Sequence, residues 1–265
     1  TDEKFLDKVK SFSPDIILFT ATTSQTKRVG EAIEMLNING IPSVNIVGGV
    51  DATLQPEVTL ERTHADMVFS GEGQIPVKLI VAGWNTPEFP FDKLPGLLVT
   101  EDNEAVKKLN PVYFKSVESY DTPLIVLTEK EKTDGWELTL SRSHGCPYDC
   151  PFCGSSEISE SSTGHRLVRM NSEEQTLKQI EWAIQNNVKT LYFADDTLFI
   201  HPKKTEIFLR DLKELQEKYD KKIPWAASSR IGDIIRNPQL LELAVDAGCH
   251  EISVGKESGS DTLLD

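Results

Sequence analysis

Apolar positions along the first eighty residues fall into two spacings. Residues 15–19, 44–47 and 66–69 are short apolar runs of strand length. Between the first two, Val29, Ile33 and Leu36 recur at helical spacing, predicting a helix over residues 26–39 that Gly40 ends. Another helix is expected from about Pro76, since proline suits a first helical turn. Three strand–helix units in a row predict a parallel, doubly wound sheet. Its carboxyl-end segments would be Thr22, Thr23 and Ser24, then Gly48 and Gly49, then Gly71, Glu72 and Gly73. Ligands bind at such ends in open α/β sheets, and glycine lets a backbone approach closely. Taken singly, each segment also reads as an ordinary turn.

From residue 84 to 134 the pattern loosens, punctuated by Pro87, Pro90, Pro95, Pro111 and Pro123. This stretch is expected to be a linker, with residues 95–100 and 105–108 forming an exposed hairpin. After it the alternation resumes. Trp136, Leu138 and Leu140 mark a strand, and Ser172 with Gln175 a capping box opening a helix that buries Leu177, Ile180 and Ile184. Residues 190–194 form a strand ending at Asp195 and Asp196. The next helix carries Phe208, Leu212, Leu215 and Tyr219. Residues 224–228 form a strand ending at Ser229 and Arg230. Asn237 and Pro238 cap a helix that Gly248 ends, and residues 250–254 lead to Glu257. These strands, counted with residues 136–140, are expected to hand polar groups to one face of a partial (β/α) TIM-like barrel, where such folds keep their active sites. Taken singly, the Asp pair reads as a helix cap and Arg230 as a surface ion pair. Cys249 is expected to be a small core residue opening a buried strand. The expected organisation is therefore α/β: a Rossmann-like domain over 1–83, a linker over 84–134 and a barrel portion over 135–265.

Composition narrows the partners. The chain has 265 residues, 38% of them hydrophobic, with 42 acidic against 28 basic residues and a net charge of −14. That balance argues against a nucleic-acid backbone as the main partner, which needs clustered Lys and Arg. The charged start has no apolar signal core, and no apolar run is long enough to span a bilayer, so a cytoplasmic setting is expected.

The most specific signal is Gly145-Cys146-Pro147-Tyr148-Asp149-Cys150-Pro151-Phe152-Cys153. Pro147 and Pro151 exclude a helix, so the thiols sit on a tight loop after the 136–140 strand. One further cysteine, Cys249, gives no disulfide framework. Three thiolates leave one iron of a four-iron cluster open, and an open metal position is what chemistry needs. A structural zinc site with His144 as fourth ligand is the alternative, weakened by the lack of a second knuckle.

The C-x-x-x-C-x-x-C run with aromatic Phe152 resembles the signature of radical S-adenosylmethionine enzymes. The resemblance implies a [4Fe-4S] cluster on Cys146, Cys150 and Cys153, whose open iron takes the amino and carboxylate groups of S-adenosylmethionine. It further implies that Asp195 or Asp196 accepts from the methionine ammonium, Ser229 and Arg230 hold the carboxylate, Glu257 bonds the ribose and Phe152 packs near the adenine. Tyr148 and Asp149 are expected to be loop structure. Gly48-Gly49-x-x-Ala52-Thr53 and Gly71-Glu72-Gly73 resemble the cobalamin-binding domain that precedes many such enzymes, with Thr22, Thr23 and Ser24 facing the cofactor's lower side. Two departures stand out: the family commonly has His at the position of Asp51, and none of the five His lies in an Asp-x-His-x-x-Gly motif. The chain reads as an excerpt lacking the front of the first domain and the end of the barrel.

The implied reaction is methyl transfer to an unactivated carbon, with ring closure or rearrangement as alternatives and a non-catalytic zinc or cobalamin carrier as a rival. A small-molecule or peptide substrate and an electron donor such as flavodoxin or ferredoxin would be the partners. A tRNA methylthiotransferase is excluded, because such proteins need three cysteines in the first domain and residues 1–145 contain none.

Overall fold

The computed structural model describes residues 2–84, 94, 96–101, 104–108, 134–163, 168–260 and 262. The chain divides into two units, residues 1–114 with 149–165 and residues 115–148 with 166–265. In the first unit, α1 (Asp2–Phe12), β1 (Ile16–Thr20), α2 (Thr26–Ile38), β2 (Val44–Gly48), α3 (Val50–Leu54), α4 (Pro56–Thr63), β3 (Met67–Phe69) and α5 (Gln74–Gly83) follow in order. After them come β4 (Leu97–Glu101), β5 (Glu104–Lys108) and α6 (Gly154–Thr163).

β1, β2 and β3 lie side by side and parallel. Successive strand residues point to opposite faces, and here both faces are covered. Val47, Val68 and Leu98 pack with Val29, Ile33 and Leu60 on one face. Ile46, Phe69 and Leu97 pack with Ile80 of α5 on the other.

Two expectations are corrected in this unit. The sheet is mixed rather than parallel throughout, because β4 adds antiparallel to β3 and β5 antiparallel to β4. The expected hairpin is thus part of the sheet rather than a free-standing turn. The edge of β3 offers unpaired backbone groups, and Leu97 and Leu98 supply one apolar side chain to each core. The rest of the expected linker lies outside the described residues. Among the described residues β1 is an outer strand of the sheet, and Leu18 is 50% exposed, although its apolar run suits a buried strand.

The second unit holds β6 (Trp136–Leu140), β7 (Ser143–His144), β8 (Arg169–Met170), α7 (Glu173–Gln185), β9 (Val188–Phe193), α8 (Pro202–Lys218), β10 (Trp225–Ser228), α9 (Ile231–Arg236), α10 (Gln239–Asp246) and β11 (Cys249–Ser253). Among the described residues its main sheet runs β6-β9-β10-β11, all parallel. The four carboxyl ends therefore lie along one edge. Ser172 caps α7 as its pattern suggests, its Oγ facing the Gln175 N–H at 3.5 Å.

The core of this unit is aromatic. Phe193 meets Trp225 edge-on at 5.3 Å and Phe208 edge-on at 5.6 Å, an arrangement that adds to the gain from burial. Trp225 is fully buried and donates its indole N–H to the Ala247 carbonyl at 2.8 Å. The last strand differs from expectation. Among the described residues β11 is an outer strand with His250, Glu251 and Ser253 exposed, and Cys249 is half-buried against the core rather than inside it. Burial still pushes its thiol up to about 11.

Candidate functional site

Three loops meet at the carboxyl ends of β1, β2 and β3. Ala21 donates its N–H to the Gly48 carbonyl at 3.0 Å, and Asp51 N–H returns to the Ala21 carbonyl at 3.1 Å. Thr53 Oγ1 donates to the Gly49 carbonyl at 2.8 Å and accepts the Gly71 N–H at 3.1 Å. The segments around Thr22, Gly48 and Gly71 are thereby stitched into one surface. Gly49 is required there: its φ is +101°, and a Cβ would lie 2.6 Å from Thr20 Oγ1 and 2.9 Å from the Ala21 backbone. Gly48 and Gly73 have open space where a Cβ would be. Thr22, Thr23 and Ser24 are exposed, while Gly71, Glu72 and Gly73 are half-buried.

Asp51 stands beneath these loops with no exposed surface. Its carboxylate accepts from Thr26 at 2.6 Å, Thr23 at 2.7 Å, Gln55 at 2.8 Å and Thr59 at 3.0 Å. Burial pushes this carboxyl up, but the bonds from Thr26, Thr23, Gln55 and Thr59 outweigh it and hold its pKa below the ordinary carboxylate range. Sequence reading marked Asp51 as a departure from a pattern. Its place as the anchor of three segments needed the fold, because Thr23, Thr26 and Thr59 are scattered along the chain.

No disulfide joins any of the four cysteines. Gly145 opens the three-cysteine run at φ +92°. The approach to Cys146 is clasped by the short ladder of β7 and β8, and Asn171 N–H donates to the Arg142 carbonyl at 2.7 Å. Within the first unit, Cys153 N–H closes a tight turn onto the Cys150 carbonyl at 3.0 Å, and the Cys153 carbonyl accepts Ser156 Oγ at 3.1 Å as α6 begins. Gly154 faces Leu54 of α3, the helix that follows Gly49. Phe152 is 68% exposed and Cys153 is exposed, whereas Cys146 and Cys150 are half-buried. Among the described residues, no three His, Cys, Asp or Glu side chains gather about one point as ligands of a single ion do. Thiolates on a four-iron cluster bind separate irons and need no such point, so three cysteines in one run, none in a disulfide, fit that group by donor chemistry.

In the second unit the strand ends collect polar groups, and the two aspartates diverge. Asp195 is buried and accepts the Arg142 N–H at 3.0 Å and Ser143 Oγ at 2.5 Å. It ties the end of β6 to the end of β9. Burial pushes its carboxyl up, against the pull of Ser143 and Arg142. The Arg142 guanidinium lies 3.8 Å over the Phe208 ring, and burial brings its pKa down to about 10. Asp196, by contrast, is exposed.

Ser229 is buried within 3.1 Å of Thr197 Oγ1, to which Arg230 also donates its backbone N–H at 3.3 Å. The Arg230 guanidinium lies 3.5 Å over the Tyr148 ring. Tyr148 donates its O–H at 2.6 Å to the buried Asp233, which also accepts Thr197 at 3.3 Å and Arg236 at 3.2 Å. Tyr148, Asp233, Thr197 and Arg142 carry no sequence signal of this arrangement beyond Tyr148's place in the cysteine run. Glu257 is exposed and holds a left-handed backbone, φ +61°, uncommon for a residue other than glycine.

The profile of the Radical SAM superfamily matches residues 140–265. An uncharacterized methyltransferase, PH0819, of Pyrococcus horikoshii is 31% identical over 264 residues, 97% of this chain and 54% of that protein. The anaerobic magnesium-protoporphyrin IX monomethyl ester cyclase of Cereibacter sphaeroides is 24% identical over 99% of this chain and 43% of its own length. Among solved structures, the cobalamin-dependent S-adenosylmethionine radical enzyme OxsB, with aqua-cobalamin and S-adenosylmethionine bound, superposes with a TM-score of 0.76 at 26% identity, covering all of this chain and 38% of that one. The chain thus spans about half, or less, of the length of the proteins it resembles. By the cysteine run and these matches, residues 140–265 carry a Radical SAM domain, and the chain's similarity to methyltransferases and cobalamin-dependent radical enzymes extends through the residues before them.

Proposed function

We propose that this chain is the cofactor-binding part of a cobalamin-dependent radical S-adenosylmethionine methyltransferase, acting on an unactivated carbon of a small molecule or peptide. The observation that carries the reading is the run of three cysteines, Cys146, Cys150 and Cys153, that follows β6 within the matched domain. On this reading the first unit is a Rossmann-like cobalamin domain and the second the start of a (β/α) barrel. When bound, the cluster supplies the electron that cleaves S-adenosylmethionine to a 5′-deoxyadenosyl radical, and cobalamin carries the methyl group.

The residues divide the work by position. Cys146, Cys150 and Cys153 ligate the cluster and leave one iron open. Asp196, exposed at the end of β9, accepts from the methionine ammonium, while Asp195 is engaged in holding β6 to β9. Arg230, with its planar fork, and Ser229 take the carboxylate. Glu257 meets the ribose, and its left-handed backbone is of the kind that collects at functional sites. Phe152 offers an exposed ring to the adenine. Thr22, Thr23, Ser24, Gly48, Gly49 and the 71–73 segment hold cobalamin, with Gly48 and Gly73 leaving room above the backbone. Electrons come from a donor such as flavodoxin or ferredoxin.

The test is anaerobic reconstitution with iron and zinc counted, electron paramagnetic resonance recorded with and without S-adenosylmethionine, and cobalamin uptake followed by absorbance. About four irons per chain with a spectrum that shifts on adding S-adenosylmethionine is the expected result. One zinc and no iron would overturn it. Ring closure is the second reading, favoured by the similarity to the cyclase of Cereibacter sphaeroides. Product mass distinguishes the two, since methyl transfer adds one carbon to the substrate.

A further inference from the structure

We propose that Tyr148, inside the cysteine run, is a positioning residue that sets the guanidinium of Arg230 for the carboxylate of S-adenosylmethionine. The inference rests on the reading above for the identity of that ligand. Its support is geometric. The Arg230 guanidinium carbon lies over the Tyr148 ring, 3.5 Å from its centroid, so the ring restricts a long side chain that is otherwise exposed. An exposed arginine must lose rotamer freedom when it binds, and an arginine already stacked loses less.

The ring is itself fixed. Its O–H reaches Asp233 at 2.6 Å, and Asp233 is 4% exposed and joined through Thr197 to Ser229. Tyr148 lies two residues beyond Cys146, so the same side chain fastens the cluster loop to the ends of β9 and β10. A loop displaced by loss of the cluster would carry the ring away from Arg230. Beyond ligation at the open iron, cluster loading and the placement of Arg230 are therefore coupled through Tyr148.

The test uses the reconstituted chain and two readouts, iron per chain and the dissociation constant of S-adenosylmethionine from the shift in the cluster's paramagnetic spectrum. Tyr148→Phe keeps the ring but loses its anchor on Asp233, and is expected to weaken S-adenosylmethionine binding less than Tyr148→Leu does. Tyr148→Leu loses the π face and is expected to keep its iron yet bind about two- to tenfold more weakly. Combining Tyr148→Leu with Arg230→Gln should cost no more than Arg230→Gln alone, because the ring acts through the guanidinium. If Tyr148→Leu fails to load iron, Tyr148→Met, of similar bulk and without a π face, replaces it. Unchanged affinity in iron-loaded Tyr148→Leu or Tyr148→Met, or loss of iron in both of these, overturns the proposal and leaves Tyr148 as loop structure. A wild-type chain that takes up no iron, or loads iron and shows no response to S-adenosylmethionine, overturns the functional reading and this proposal together.

Discussion

Asp51 puts a carboxylate where water cannot reach it, and four side-chain donors keep it charged there. Burying such a group costs desolvation that its partners offset, and losing them leaves that cost uncompensated. Asp51→Ala leaves the buried Thr59 hydroxyl without its acceptor and Thr26 with only the Thr22 carbonyl at 3.2 Å, and should destabilise the first unit by about 2–3 kcal/mol, read from urea melts. The pH dependence has a definite sign. The folded pKa lies below the unfolded value, so near pH 4 the unfolded chain binds more protons and stability rises with pH. This contribution is complete above the unfolded pKa and is lost as pH falls through the folded one. Asp51→Asn should flatten that part of the stability curve between pH 5 and pH 3, each value being about the range set by the ordinary aspartate pKa. A curve as steep as wild type would remove Asp51 as its source. Gly49 makes a second case. Gly49→Ala forces a Cβ against Thr20 and Ala21 at positive φ and should cost about 2 kcal/mol or more, with cobalamin uptake lowered, measured by thermal melts and absorbance.

Elements are held by a few buried polar bonds as much as by packing. Gln216, on α8, donates to the Ala247 carbonyl at 2.7 Å and accepts the Ile223 N–H at 2.6 Å, so one side chain sews the end of α8 to the turns before β10 and after α10. Gln216→Ala orphans the buried Ile223 N–H and should cost about 1–3 kcal/mol, with the Ile223 amide losing protection in hydrogen exchange. Unaltered protection would mean the turn stands by packing alone. The sequence made the helices and strands of this region legible because their apolar positions repeat at 3.6 and near 2 residues. It placed β6, β9, β10 and β11 to within a residue or two. It missed that β4 and β5 extend the first sheet, since a hairpin pattern says nothing about which edge will accept it. It also missed that β1 and β11 lie at sheet edges, because an apolar run looks the same at an edge and in the middle.

Across the whole molecule, an acidic chain of net charge −14 carries two α/β units and a single three-cysteine run. Among the described residues no helix is long and apolar enough to cross a membrane. Replacing Cys150 or Cys153 with Ala should drop the iron count from about four to below one per chain, while Cys249→Ala should leave it unchanged, both read by metal analysis after reconstitution. The sequence by itself determined the thiol donor set, the order of strand–helix units and the polar residues at their ends. Those depend on residue type and on spacing along the chain, which are local. Only the tertiary structure decided that Asp195 is engaged in tying strands while Asp196 is exposed, that Asp51 anchors three loops, and that Tyr148 lies under Arg230. Those facts depend on which residues distant in sequence come within hydrogen-bonding or stacking distance, and that proximity exists only once the sheets have formed.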